Sequence, residues 1–126
     1  QGIGGATVTQ PTTRIQGQLT LAPGQSGDLS NARVAIYTSL GEWLNDTPVR
    51  FVAPTGSGAS VSFVIDNVVP GNYYLDAWKD IDNDFVIDGG DMFGWFGNGV
   101  YPNGSLTQFP INQGEAKTIN VQMFVL

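Results

Sequence analysis

The sequence predicts an all-β protein, an antiparallel sandwich of about seven strands. Three observations carry this expectation. Short runs alternate apolar and polar residues, as half-buried strands do. Seventeen glycines and seven prolines in 126 residues punctuate those runs with turns. No stretch repeats its apolar residues at the 3.6-residue period of an amphipathic helix.

In chain order, residues 1–13 are rich in Gly, Thr and Pro and have little to bury, so they read as a linker or flexible terminus. Residues 14–126 read as one domain. Its first strand is Arg14 to Leu21, and Pro23 to Ser30 is a polar turn region. Ala32 to Tyr37 is a strand with Ala32, Val34 and Ile36 on one face. Ser39 to Asp46 reads as a loop carrying Trp43, and Pro48 to Val52 as a short strand. Val61 to Ile65 follows a Gly- and Ser-rich turn, and Asn67 to Trp78 contains the next strand, which places Trp78 in the core. Met92 to Ser105 reads as a long aromatic and glycine-rich excursion. Leu106 to Ile111 and a final strand, Lys117 to Val125, complete the chain.

Composition excludes several function classes. The net charge of −6 makes nucleic acid and anionic membranes poor partners. No apolar run reaches the length of a membrane-spanning helix. The chain contains no His and no Cys, so it lacks imidazole acid–base chemistry, Ser–His and Cys–His nucleophile pairs, and the usual ligands of zinc and copper.

The densest chemistry lies in Asp80-Ile81-Asp82-Asn83-Asp84-Phe85-Val86-Ile87-Asp88-Gly89-Gly90-Asp91. Five of the eleven acidic residues fall in these twelve positions. Like charges so close repel, and a cation would neutralise them. Asp80, Asp82, Asp84, Asp88 and Asp91 stand at loop positions 1, 3, 5, 9 and 12, and Val86 at position 7 offers its backbone carbonyl. An all-oxygen donor set in an irregular loop suits Ca²⁺, which takes six to eight oxygens at about 2.3–2.6 Å.

This order resembles the DxDxD calcium loops of EF-hands and dockerins, with Ile87 at their apolar position. Two residues depart from the pattern. Phe85 stands where Gly is usual, at a turn needing positive φ, and Asp91 stands in place of the usual Glu. The flanking residues alternate or are glycine-rich, so the loop is expected on β structure. A helix-opening calcium sensor is thereby excluded.

A second resemblance covers most of the chain. Ile15-Gln16-Gly17-Gln18-Leu19, Asn31-Ala32-Arg33-Val34-Ala35-Ile36 and Pro70-Gly71-Asn72-Tyr73-Tyr74-Leu75-Asp76-Ala77 are similar to the strands of prealbumin-like (transthyretin-like) sandwiches. In particular, they resemble carboxypeptidase regulatory-like domains. The resemblance implies a Greek-key, Ig-like architecture and a mostly non-catalytic role as stalk, spacer or accessory domain. Tyr73, Leu75 and Ala77 should share one face after a Pro70–Gly71 hairpin turn. Related adhesin domains carry a Lys–Asn cross-link from an early strand; here Lys79 and Lys117 both come late, so none is expected.

The functional expectation is a non-enzymatic, calcium-stabilised accessory or spacer module of a larger secreted or cell-surface protein of bacterial type. A calcium loop of modest affinity fills where calcium is millimolar, which points outside the cell. The start at Gln1 fits a mature or excised fragment. Expected partners are neighbouring domains of the parent chain, a polysaccharide or a surface protein. The alternative is a carbohydrate-binding module whose platform is Trp43, Trp95, Phe96 and Tyr101; against it stands the reading that the aromatics after the loop fold back and pack.

Overall fold

A computed structural model describes residues 12–126. Among them are eleven strands and one short helix. The strands are β1 (Arg14–Leu21), β2 (Arg33–Tyr37), β3 (Arg50–Val52), β4 (Ser60–Ile65), β5 (Gly71–Lys79), β6 (Met92–Trp95), β7 (Gly97–Val100), β8 (Asn103–Leu106), β9 (Phe109–Ile111), β10 (Ala116–Thr118) and β11 (Val121–Val125); the helix α1 is Leu40–Leu44. The all-β class is as the sequence predicts.

The main sheet runs β10-β1-β11-β6-β5-β2-β3, with β4 on the other edge of β1 and β9 beside the start of β5. β7 and β8 form a separate two-stranded ribbon. Most neighbours are antiparallel, but β1 pairs in parallel with both β10 and β11, which corrects the purely antiparallel expectation. The final strand is broken for the same reason. β10 lies along Arg14–Gln16 and β11 along Leu19–Leu21, so the chain steps across β1 at Ile119–Asn120. Gly17 sits at that step: a Cβ there would lie 1.7 Å from the Ile119 carbonyl oxygen. Ile119 N–H donates to the Gln16 carbonyl (2.8 Å), and the Asn120 side chain accepts from Gln18 N–H (3.1 Å), closing the gap.

Alternation sets the core. Along β4, Val61, Phe63 and Ile65 are buried while Ser60, Ser62 and Val64 face outward. They join Ile15 and Leu19 of β1, Val34 and Ile36 of β2, Tyr73, Leu75 and Ala77 of β5 and Met123 of β11 in one cluster. Tyr73, Leu75 and Ala77 do share a buried face. Pro70–Gly71 does not turn a hairpin, however, because β4 pairs with β1 whereas β5 pairs with β2, β6 and β9.

β5 departs from simple alternation. Leu75, Asp76, Ala77 and Trp78 are all buried, because other parts of the chain cover both faces of this strand. Trp78 is in the core as expected.

Three further expectations change. The segment Ser39–Asp46 holds α1, started by Ser39 Oγ, which accepts from Glu42 N–H (3.1 Å). Glu42 reaches back to accept from Thr38 N–H at 2.7 Å. The stretch from Met92 to Ser105 contains β6, β7 and most of β8 rather than an irregular excursion. The folded body includes Thr13, which is buried and ties two loops: its carbonyl accepts from Val68 N–H and its Oγ1 from Gly114 N–H, both at 2.8 Å. The expected linker over residues 1–11 lies outside the described residues.

Candidate metal centre and adjoining cleft

The aspartate loop connects the end of β5 to the start of β6. Both ends are fixed. β5 and β6 pair from Asp76↔Trp95 to Lys79↔Met92. Beyond them, Leu126 N–H donates to the Asp91 carbonyl and Gly90 N–H to the Leu126 carbonyl, both at 2.8 Å.

Inside the loop, Asp80, Asp82, Asp84 and Asp91 each direct a carboxylate oxygen into one place, all four within 4.8 Å of one another. Local hydrogen bonds turn them inward. Phe85 N–H donates to Asp80 Oδ2 (2.8 Å) and Val86 N–H to Asp84 Oδ1 (2.9 Å). The backbone coils tightly to do this: Asn83 and Phe85 adopt φ of +56° and +61°. Phe85 therefore takes the left-handed conformation for which Gly is usual, and its ring stands 86% exposed.

Asp91 is the anchor. It is 1% exposed and accepts from Trp78 Nε1 (3.1 Å), Ile81 N–H (3.0 Å) and Asp88 N–H (3.3 Å). The shorter Asp at the last loop position is drawn into the body of the protein by Trp78.

Asp88 stands beside this group of four rather than in it. The Asp84 carboxylate beside it, with desolvation and the other neighbouring charges, pushes its carboxyl up to about 6. Asp82 is also raised, by desolvation first and then by Asp84 and Asp80. Asp84 is lowered, chiefly by the Val86 N–H. Val86 holds loop position 7, where its side chain is exposed.

No positive side chain pairs with the loop aspartates among the described residues, whose ion pairs are Arg33–Asp46 and Lys117–Glu115. Lys79, next to Asp80, donates instead to the Asp28 carbonyl at 2.6 Å. Asp80 Oδ1 and Asp88 Oδ1 are shielded from solvent and accept no hydrogen bond. Buried carboxylate oxygens without a donor are costly, and a cation satisfies them. Four oxygens converging on one place, two orphaned oxygens and no soft ligand fit a hard metal ion.

The four aromatics expected as a platform do not come together. Trp95 is half-buried against Phe93 and Phe124, with centroids 5.8 and 5.7 Å apart, and its Nε1 donates to the Asn98 carbonyl. Phe96 meets Phe109 edge to face at 5.4 Å. Tyr101 is exposed on the connection between β7 and β8. Only Trp43, on α1, borders the metal loop.

There it lines a cleft of about 310 Å³ together with Arg33, Leu44, Asp46, Asp76, Trp78, Phe85 and Ile87. Asp76, 3% exposed, forms part of its wall and accepts from Tyr37 OH and Trp43 Nε1, both at 2.9 Å. Burial pushes its carboxyl up to about 6, opposed by these donors and by Arg33. Burial likewise raises the Tyr37 hydroxyl. Arg33 donates to Asp46 Oδ1 (2.8 Å) and Tyr37 OH (3.1 Å) and lies over the Trp78 ring at 5.7 Å.

Sequence reasoning missed this network. Strand alternation puts Asp76 on the outer face, and Arg33 carries no motif. One signal was legible: Ser39-Leu40-Gly41-Glu42 has the S-x-x-E spacing of a capping box, which marks the helix start that positions Trp43. Comparisons with protein-family models, with curated proteins and with solved structures return no match, so the residues themselves carry the functional reading.

Proposed function

We propose that this chain is a calcium-stabilised, non-catalytic accessory or spacer domain of prealbumin-like type, belonging to a larger secreted or cell-surface protein of bacterial type. The observation that carries the reading is the convergence of Asp80, Asp82, Asp84 and Asp91 within 4.8 Å with no neutralising side chain among the described residues. Ca²⁺ would be held by those four carboxylates and the Val86 carbonyl, with Asp88 directly or through water. Calcium is favoured over magnesium because an irregular, carboxylate-rich loop matches its larger, more flexible coordination shell.

The ion's contribution is mechanical. It removes the mutual repulsion of the carboxylates and clamps the β5–β6 connection. Binding the folded state alone adds RT ln(1 + [Ca²⁺]/Kd), about 2.7 kcal/mol at a hundredfold excess of calcium. Such an increment is available where calcium is millimolar, which favours the extracellular setting. The absence of His and Cys supports a non-catalytic role, and carboxylates committed to a cation make poor general acids.

Calorimetric unfolding in calcium and in chelator tests the proposal. Chelation should lower the melting temperature by several degrees, and Asp80→Ala should abolish that difference while keeping the β-type far-UV spectrum. A melting temperature indifferent to calcium would refute it.

A further inference from the structure

We propose that the cleft between α1 and the aspartate loop is a binding site for one ring of a neutral saccharide, and that calcium completes the site by fixing one of its walls. The second half of this statement rests on the calcium reading above; the first does not.

The volume, about 310 Å³, lies at the lower end of small-molecule sites, roughly 300–1,000 Å³. Trp43, Trp78 and Phe85 line it with three aromatic rings, and Leu44 and Ile87 extend the apolar surface. The rim residues are unusually open for their type: Leu44 is 75% exposed, Phe85 86% and Ile87 45%. Large apolar side chains gathered around a concavity, rather than scattered singly, mark an interaction site.

Charge selects the ligand class. The only cation of the cleft, Arg33, is paired with Asp46, and Asp76 is saturated by Tyr37 and Trp43. Arg33 and Asp46 cancel, and Asp76 leaves the site a single negative charge, which disfavours an anionic guest. A cationic guest would meet the Arg33 guanidinium, which already lies over the Trp78 ring. What the cleft offers is a donor and an acceptor side by side. The Arg33 guanidinium and the Asp46 carboxylate are held together at 2.8 Å with both side chains partly open, 27% and 54% exposed. A pair of adjacent hydroxyls can accept from the first and donate to the second, while the C–H face of the ring lies on an aromatic surface. A saccharide presents both features in one rigid unit.

The loop supplies Phe85 and Ile87, and these lie between proposed ligands Asp84 and Asp88 in sequence. Binding should therefore need calcium, because the repelling carboxylates of the empty loop would not hold that wall in place.

The test titrates the whole chain with neutral gluco-, manno-, galacto- and xylo-hexasaccharides, reading tryptophan fluorescence, in about 1 mM calcium and in chelator. At least one sugar should quench. Phe85→Gly and Leu44→Gln, which strip opposite walls at exposed positions, should each weaken binding about tenfold or more. Chelator should do the same. No quenching by any sugar, or quenching unchanged in both variants, overturns the site. Affinity indifferent to chelator overturns the calcium-built wall. Calcium calorimetry without sugar, on the native chain and Phe85→Gly, separates the two readings: a flat native isotherm refutes the metal and the coupling, whereas a normal one with no sugar binding refutes the cleft alone. Light scattering completes the set, since a concentration-dependent dimer abolished by Leu44→Gln would assign this rim to a second copy and overturn the proposal.

Discussion

Asp91 and Asp82 both point a carboxylate oxygen into the same cluster, yet they should respond oppositely to conversion to the amide. Asp91 is 1% exposed and accepts from three donors, Trp78 Nε1, Ile81 N–H and Asp88 N–H. In Asp91→Asn one oxygen becomes an NH₂. Whichever way the amide turns, a buried donor faces another donor. Each orphaned donor costs about 1–3 kcal/mol, so the variant should lose about 2–4 kcal/mol whether or not calcium is present. For a chain of this size that is a fall of about 10 °C in melting temperature. Asp82 is exposed and accepts no buried hydrogen bond from the body of the domain. Asp82→Asn should leave the melting temperature in chelator level or slightly higher, because one repelling charge is gone, and should remove much of the increment that calcium adds. Scanning calorimetry of both variants, in chelator and in calcium, reads all four values. If Asp91→Asn in chelator melted within about 2 °C of the native chain, the view of Asp91 as a structural anchor would be wrong. If Asp82→Asn kept the full calcium increment, the cluster would not be the metal site.

Two further perturbations follow from the fold. Asp76 rises in the folded state to about 6 from 3.8, so the stability tied to its protonated form is complete below about 3.8 and is lost as pH rises through about 6. Acidifying the chelated protein from about pH 7.5 to about pH 5.5 should raise its melting temperature, by up to about 3 kcal/mol of stability if carried to complete protonation of Asp76. The raised values of Asp82 and Asp88 act in the same direction, whereas Asp28, lowered to about 2, costs stability only at lower pH; a fall in melting temperature over this window would contradict the assignment. Gly17→Ala places a Cβ 1.7 Å from the Ile119 carbonyl, so the β10–β11 step must shift; a loss of about 2 kcal/mol or more in urea unfolding is expected, and near-native stability would show that the step is not tightly packed.

Much of the fold was legible in the residues. β4 reads its buried and exposed positions directly from Val61-Ser62-Phe63-Val64-Ile65, because one face of that strand meets the core and the other faces outward. β5 was legible only in part: its existence followed from alternation, but the burial of Asp76 did not, since alternation assumes one covered face. α1 escaped because five residues are too few to display a helical period, although its capping spacing was present. The parallel pairing of β1 with β10 and β11 joins residues about a hundred positions apart, and local pattern carries no information on which distant strand a segment will meet.

The candidate site divides in the same way. By itself the sequence determined that five aspartates in twelve positions, without His or Cys, would form an oxygen-rich loop between strands, because charge and ligand type are properties of the residues. Tertiary structure alone decided that Asp91 is buried under Trp78 while Asp88 stands aside, and that Phe85 accepts a left-handed turn with its ring exposed. It also decided that Trp43 faces Arg33, Asp76 and the loop rather than joining Trp95, Phe96 and Tyr101. Those outcomes depend on which surfaces the chain brings together, and long-range strand pairing, not local spacing, sets that.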